Sequence, residues 1–241
     1  MKRLVLVLLA AGGAFAADCP AMPPSHLPQP QTPLNIDLIK KQLRAYHDGD
    51  YVKDIATVYT AALSYIESRA GQVKKPAVVL DIDETSLTNW PNIDADDFGF
   101  IADGRCDTLP KGPCGFNAWV LMGTAKAIAP ALDFFNAVKS KGVAVVFITG
   151  RRDNQRQATL WNLDHAGFEG WAKLITRPDR DEFKTVEEYK SKARAKLLTE
   201  EKYTIIASIG DQQSDIDQQS GVSAGKPECG FKLPNPFYFI E

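Results

Sequence analysis

From residue 75 onward, four short apolar runs (77–82, 143–149, 173–176 and 203–209) alternate with stretches of helical periodicity at 129–141, 154–166 and 186–198. Strands separated by helices close compactly as crossovers between parallel neighbours, and near-continuous apolar runs mark strands buried on both faces. The alternation therefore places the chain in the α/β class, with a parallel sheet. Two further helical patterns, 36–46 and 50–70, precede the first strand. The second has Ile55, Val58, Ala62 and Ile66 at three- and four-residue spacing, and both are expected beside the core.

The ends of these runs carry the chemistry. The first stops on Asp81-Ile82-Asp83-Glu84-Thr85, delivering two carboxylates to the carboxyl edge of the sheet, where open α/β folds bind ligands. The second ends in Thr149-Gly150-Arg151-Arg152, a hydroxyl and an open backbone suited to phosphate oxygens. The fourth ends in Gly210-Asp211-Gln212-Gln213-Ser214-Asp215, and a cationic segment, Tyr189-Lys190-Ser191-Lys192-Ala193-Arg194, lies between. Acids, a hydroxyl and a lysine converging on one sheet edge form a metal-assisted phosphoryl-transfer set. A calcium loop starting at Asp81 is excluded, since Ser86 and Asn92 stand where glycine and glutamate are required. No dinucleotide fingerprint or nucleoside-triphosphate loop is present.

The interval 86–125 fits no strand–helix unit. It is rich in Gly, Pro and aromatics, begins directly after the carboxylates, and is read as a lid. Its Trp90 and Trp119 are candidate substrate contacts, which would favour nucleotides or aryl phosphates by stacking.

The first sixteen residues have the charged, apolar and small-residue order of a secretory signal, with cleavage expected after Ala16. A Pro-rich leader at 17–35 follows, and the α/β domain is expected over 36–241 with the lid inserted. Four cysteines in an exported chain suggest disulfides, and the absence of a Cys-x-x-Cys pair argues against zinc. Cys106 with Cys114 is favoured because the intervening Gly- and Pro-rich loop can close on itself, and Cys19 with Cys229 follows by elimination. A net charge of −2 with dispersed basic residues gives no support for a nucleic-acid polymer as partner, and no stretch is long and apolar enough to span a bilayer.

On these motifs the chain resembles the haloacid dehalogenase (HAD) superfamily and, within it, the class B-type acid phosphatases that include plant acid phosphatases, vegetative storage proteins and bacterial exported enzymes. The signatures are Asp81-Ile82-Asp83-Glu84-Thr85, Thr149-Gly150-Arg151, Lys190-Ser191-x-x-Arg194 and Gly210-Asp211-Gln212-x-Ser214-Asp215. The resemblance implies a Rossmann-like core and an exported, periplasmic or secreted, Mg2+-dependent acid phosphatase acting on small phosphomonoesters. Asp81 is then the nucleophile and Asp83 the general acid and base, titrating nearer the working pH than Asp81. Thr149, Gly150 and Lys190 bind phosphate, Asp215 orients Lys190, and Asp81, Asp83 (by its main-chain carbonyl) and Asp211 hold Mg2+. The expected partner is a phosphomonoester, with a homo-oligomer as an option. The alternatives are a non-catalytic storage or binding protein on the same scaffold and a phosphosugar mutase. In storage relatives the nucleophilic aspartate is replaced, and here it is present.

Overall fold

The computed structural model describes residues 19–20, 35–180, 182–217 and 225–240. The signal segment and most of the Pro-rich leader lie outside them. Helix α1 (Ile36–Gly49) begins where the Asn35 side chain accepts from Asp37 N–H, and α2 (Tyr51–Arg69) follows almost without a break. Then come β1 (Pro76–Leu80), β2 (Leu87–Thr88), α3 (Trp90–Ala95), α4 (Phe116–Met122) and β3 (Lys126–Ala127). The alternating half consists of α5 (Ala129–Ser140), β4 (Ala144–Arg152), α6 (Arg156–His165), β5 (Lys173–Arg177), α7 (Val186–Thr199) and β6 (Thr204–Gly210). A short α8 (Gln213–Ile216) and β7 (Cys229–Lys232) complete the described elements.

All strands of the main sheet are parallel, in the order β5-β4-β1-β6-β7, while β2 and β3 form a separate antiparallel ribbon. Because the order reverses at β1, the carboxyl ends of β4, β1 and β6 lie side by side at the switch point where such sheets bind ligands. Alternate residues of each strand point to opposite faces. Val78, Leu80, Val145 and Phe147 join one apolar cluster, whereas Val79, Val146, Ile148 and Ile205 join a second with Tyr189, Ala193 and Leu197 of α7. The strands and helices expected from the sequence are all present, with ends displaced by up to three residues.

Two points differ from the sequence reading. Helix α2 does not merely lie beside the core: Ile55, Val58, Ala62 and Ile66 are buried in the larger cluster with Phe134, Phe135 and Val138 of α5. And β7, absent from the reading, adds a fifth strand, burying Cys229 and Phe231 while Gly230 faces out. Four residues with a glycine among them carry too little alternation to register as a strand. Both expected disulfides, Cys106–Cys114 and Cys19–Cys229, are present. Among the described residues no helix is long and apolar enough to cross a membrane.

Arg194 on α7 is fully buried. Its guanidinium donates to Gly225 O at 2.9 Å, Ser214 O at 3.1 Å and Asp215 O at 2.9 Å, and also to Asp217 O. It thus fastens the turn after β6 to α7. Replacing it with methionine should leave these carbonyls without donors and cost about 3 kcal/mol of stability in urea unfolding. A variant within about 0.5 kcal/mol of the parent, the size of an ordinary surface change, would show that the turn holds itself.

Candidate active site

The first strand hands its direction to Asp81, whose N–H still donates to Ile209 O at 3.1 Å. The chain then reverses tightly. The N–H groups of Ser86 and Leu87 both reach Ile82 O at 2.8 Å, and Glu84 takes a left-handed conformation at φ 49°. For a residue with a Cβ this costs about 1–2 kcal/mol, so the turn is imposed by its surroundings. Ser86 Oγ closes it onto Asp81 O at 2.7 Å, and Tyr59 OH donates to Thr85 O at 3.1 Å.

Lys190, projecting from α7, places its ammonium 2.8 Å from Asp81 Oδ1 and in contact with Asp215 Oδ1. Asp215 is held by Gln212 N–H at 2.9 Å, and its approach requires Gly210: a Cβ there would lie 2.2 Å from that of Asp215. Asp211 accepts from Asn235 Nδ2 at 2.7 Å, Gln212 Nε2 at 2.6 Å and Thr85 Oγ1 at 3.3 Å. Thr149 is buried near the end of β4, where its hydroxyl oxygen accepts Arg151 N–H at 3.1 Å and keeps its own proton to donate. Gly150 beside it is exposed, with open space where a side chain would stand.

Carboxylate oxygens of Asp81, Asp211 and Asp215 lie within 4.8 Å of one another, a buried all-oxygen donor set that suits a hard divalent cation. The electrostatics agree. Burial, then Asp215, push the Asp81 carboxyl well above its ordinary range despite Lys190, and burial with Asp215 pushes Asp211 up to about 6. A cation would relieve that cost. Burial would deprotonate Lys190, but Asp215 and Asp81 outweigh it and keep the ammonium charged.

Asp83 points elsewhere. Its carboxylate is clasped by Arg151, with Nη2 2.7 Å from Oδ1 and Nε 3.1 and 3.2 Å from the two oxygens, and Asn89 Nδ2 adds a bond of 2.9 Å to Oδ1. Burial raises its pKa, yet the charge and hydrogen bonds of Arg151, with those of Asn89, bring it below the usual value. The expected order of titration is therefore reversed in the metal-free site: Asp81 stands high and Asp83 low. The cause is Arg151, whose side chain, adjacent to another arginine in sequence, reads as surface charge but is 2% exposed.

The aromatic expectations also change. Trp119 is buried within the 86–125 segment, 4% exposed, with its indole N–H on Asn89 Oδ1 at 2.8 Å, so it offers no face to a ligand. Trp90 is stacked on His47 at 3.6 Å between centroids and packs against Phe98 and Phe237. The sequence reading passed over Asn89, Glu84, Asn235 and Tyr238. Asn235 lies on Asp211, and Tyr238 OH meets Glu84 Oε2 at 3.0 Å.

Residues 30–241 match the family model described as HAD superfamily, subfamily IIIB (Acid phosphatase). The chain is 33% identical over 203 residues to Acid phosphatase 1 of Solanum lycopersicum, covering 80% of this chain and 74% of that one. It is 29% identical over 194 residues to Vegetative storage protein 2 of Arabidopsis thaliana, covering 79% and 66%. Among solved structures, a Class C acid phosphatase from Bacillus anthracis superposes with a TM-score of 0.62 at 26% identity, over 84% of this chain and 86% of that one.

Replacing Lys190 with methionine should leave Asp81 and Asp215 facing each other without their shared cation. In chelator we expect a loss of about 3 kcal/mol or more, smaller when a divalent cation is supplied, as measured by thermal unfolding. Equal losses with and without the cation would separate the lysine from the carboxylate cluster.

Proposed function

This chain belongs to the acid phosphatases of HAD subfamily IIIB and is a phosphomonoesterase, and we propose that it is an exported, Mg2+-dependent one working through an aspartyl-phosphate. The observation that supports this most directly is the Lys190 ammonium 2.8 Å from Asp81, within a cluster of buried carboxylates at the sheet's switch point. One face of Asp81 is thereby presented to an incoming phosphate while its charge is balanced.

In this reading an Asp81 oxygen attacks phosphorus, and the bond from phosphorus to the ester oxygen breaks. The leaving alkoxide takes a proton from Asp83, whose carboxyl must leave the Arg151 clasp that holds its pKa below the usual value before it can carry one. Asp83 then accepts a proton from water, whose oxygen attacks the aspartyl-phosphate, releasing inorganic phosphate and regenerating the Asp81 carboxylate. Thr149 O–H, the Gly150 backbone and Lys190 bind the phosphate oxygens, and Asp215 fixes the lysine. Asp81, Asp211 and the main-chain carbonyl of Asp83 would hold the Mg2+, which when bound offsets the charge of the carboxylates and the phosphate. The sequence from 86 to 125 serves as the lid. With Trp119 turned inward, a preference for aromatic esters has only Trp90 to support it. The signal-like first sixteen residues and the two disulfides support export.

Storage, the role in the name of the Arabidopsis relative, is the second reading. The presence of Asp81 and Asp83 together with Thr149, Lys190 and Asp211 favours the enzyme. The deciding experiment is hydrolysis of p-nitrophenyl phosphate by the purified chain with and without Mg2+. Asp81→Asn should lower kcat by roughly 10³-fold or more with the fold intact, and a chelator should stop turnover reversibly. Full activity in chelator would remove the metal from the mechanism, and a vigorous Asp81→Asn variant would remove the covalent intermediate.

A further inference from the structure

Asp211 follows β6 directly and is 1% exposed, and its two carboxylate oxygens are treated unequally. Oδ2 accepts Gln212 Nε2 at 2.6 Å and Asn235 Nδ2 at 2.7 Å. Among the described residues Oδ1 accepts only the Thr85 hydroxyl, at 3.3 Å. A hard cation competes with hydrogen-bond donors for carboxylate lone pairs. The oxygen that already holds two short bonds is therefore the poorer ligand, and Oδ1 is the better one.

Both donors are turned toward Asp211 by the chain that follows β7. Asn235 lies between Pro234 and Pro236, whose rings restrict the backbone on either side, and its Oδ1 accepts the Phe237 N–H at 2.9 Å. A main-chain N–H can only donate, so this bond fixes which end of the amide is oxygen and leaves Nδ2 for the carboxylate. Gln212 is set in the same way: its Oε1 accepts the Ile240 N–H at 3.2 Å, which leaves Nε2 for Asp211. The segment is itself anchored. Leu233 N–H donates to Gly210 O at 2.8 Å and Lys232 Nζ to Asp211 O at 2.9 Å, while the buried Phe237 packs on Tyr51 and Trp90 at 5.0 and 5.2 Å between ring centroids.

We infer that residues 232–240 complete the cation site from outside it: by holding Asn235 and Gln212 as donors on Asp211 Oδ2, they fix the carboxylate and reserve Oδ1 for the metal. Asn235 and Gln212 are positioning residues here, and neither is a ligand. The inference rests on the Mg2+-dependent phosphatase reading, with Asp211 as a ligand. A carboxylate freed of these donors has to be ordered when the cation arrives, so affinity for the metal falls while the chemistry of a filled site is kept.

The test titrates Mg2+ calorimetrically into the chelator-stripped full chain. Asn235→Leu removes the donor at similar volume and should raise the Mg2+ Kd about 10–100-fold, the range found when a group that orients a metal ligand is lost. Its metal-free Tm should fall by no more than about 4 °C, as for one lost hydrogen bond, and kcat on p-nitrophenyl phosphate at saturating Mg2+ should stay within about threefold of the parent. Gln212→Met, which opens the other bond, should give the same split and carries the test if Asn235→Leu unfolds. An unchanged Kd in a folded variant, or a loss of kcat that saturating Mg2+ does not restore, would overturn the inference and leave the phosphatase reading standing. A parent chain that hydrolyses the ester without binding Mg2+ would overturn the inference together with the metal assignment, and one that does neither would overturn the phosphatase reading as well.

Discussion

The site depends on the Lys190 ammonium, held between Asp81 and Asp215. Asp81, Asp83, Glu84, Asp211 and Asp215 are gathered at one corner of the sheet, and among the described residues the cations that touch their carboxylates are Lys190 and Arg151. Buried like charges repel strongly where the effective dielectric is low, so such a corner folds only with compensating charge built in. Lys190 supplies it from α7, and this explains why that helix, which also buries Arg194, turns a lysine inward at 4% exposure. The imbalance that remains makes the same corner receptive to a divalent cation. Architecture and the proposed chemistry therefore meet in one ion pair: the charge that lets the carboxylates be buried is also the one proposed to bind phosphate.

Glu84 follows a different rule. Among the described residues no cation touches it, and burial pushes its carboxyl up to about 8 against the hydrogen bonds from Asn89. It is tolerated because donors from Asn89 and from Tyr238 surround it. The two acids that straddle Ile82, Asp81 and Asp83, are thus separated in environment by what each faces: a lysine and other aspartates for one, an arginine and an amide for the other.

Much of this was legible in the sequence because it is local. Asp81, Thr149 and Asp211 each end an apolar run, and parallel strands oblige such ends to meet, so three residues far apart in the chain could be assigned to one edge from pattern alone. Lys190 could be named because its spacing to Arg194 fits the family's motif, although the reason for that spacing, an arginine that braces the turn bearing Asp215, emerges only from the carbonyls it reaches. What pattern could not supply was the partner of each polar group. Arg151 and Arg152 are neighbours of the same type, and only the strand's pleat decides that the first is buried. Trp119, thirty residues from Asn89, carries in sequence no sign that its N–H would be needed there. Asn235 and Tyr238 reach the site from beyond β7, a strand too short to announce itself.

The bridge from Cys19 to Cys229 gives the domain a property of a different kind. It joins residues 210 positions apart, so nearly all of the sheet and both helical layers lie within one covalent ring. Tension applied outside that ring passes through sulfur and bypasses the strands, loading only the short stretch beyond Cys229. A single nick in any surface loop inside the ring opens it into a linear chain without releasing a fragment. Mechanical and covalent integrity then rest on two sulfur atoms at the margin of the sheet, away from the cluster of buried carboxylates.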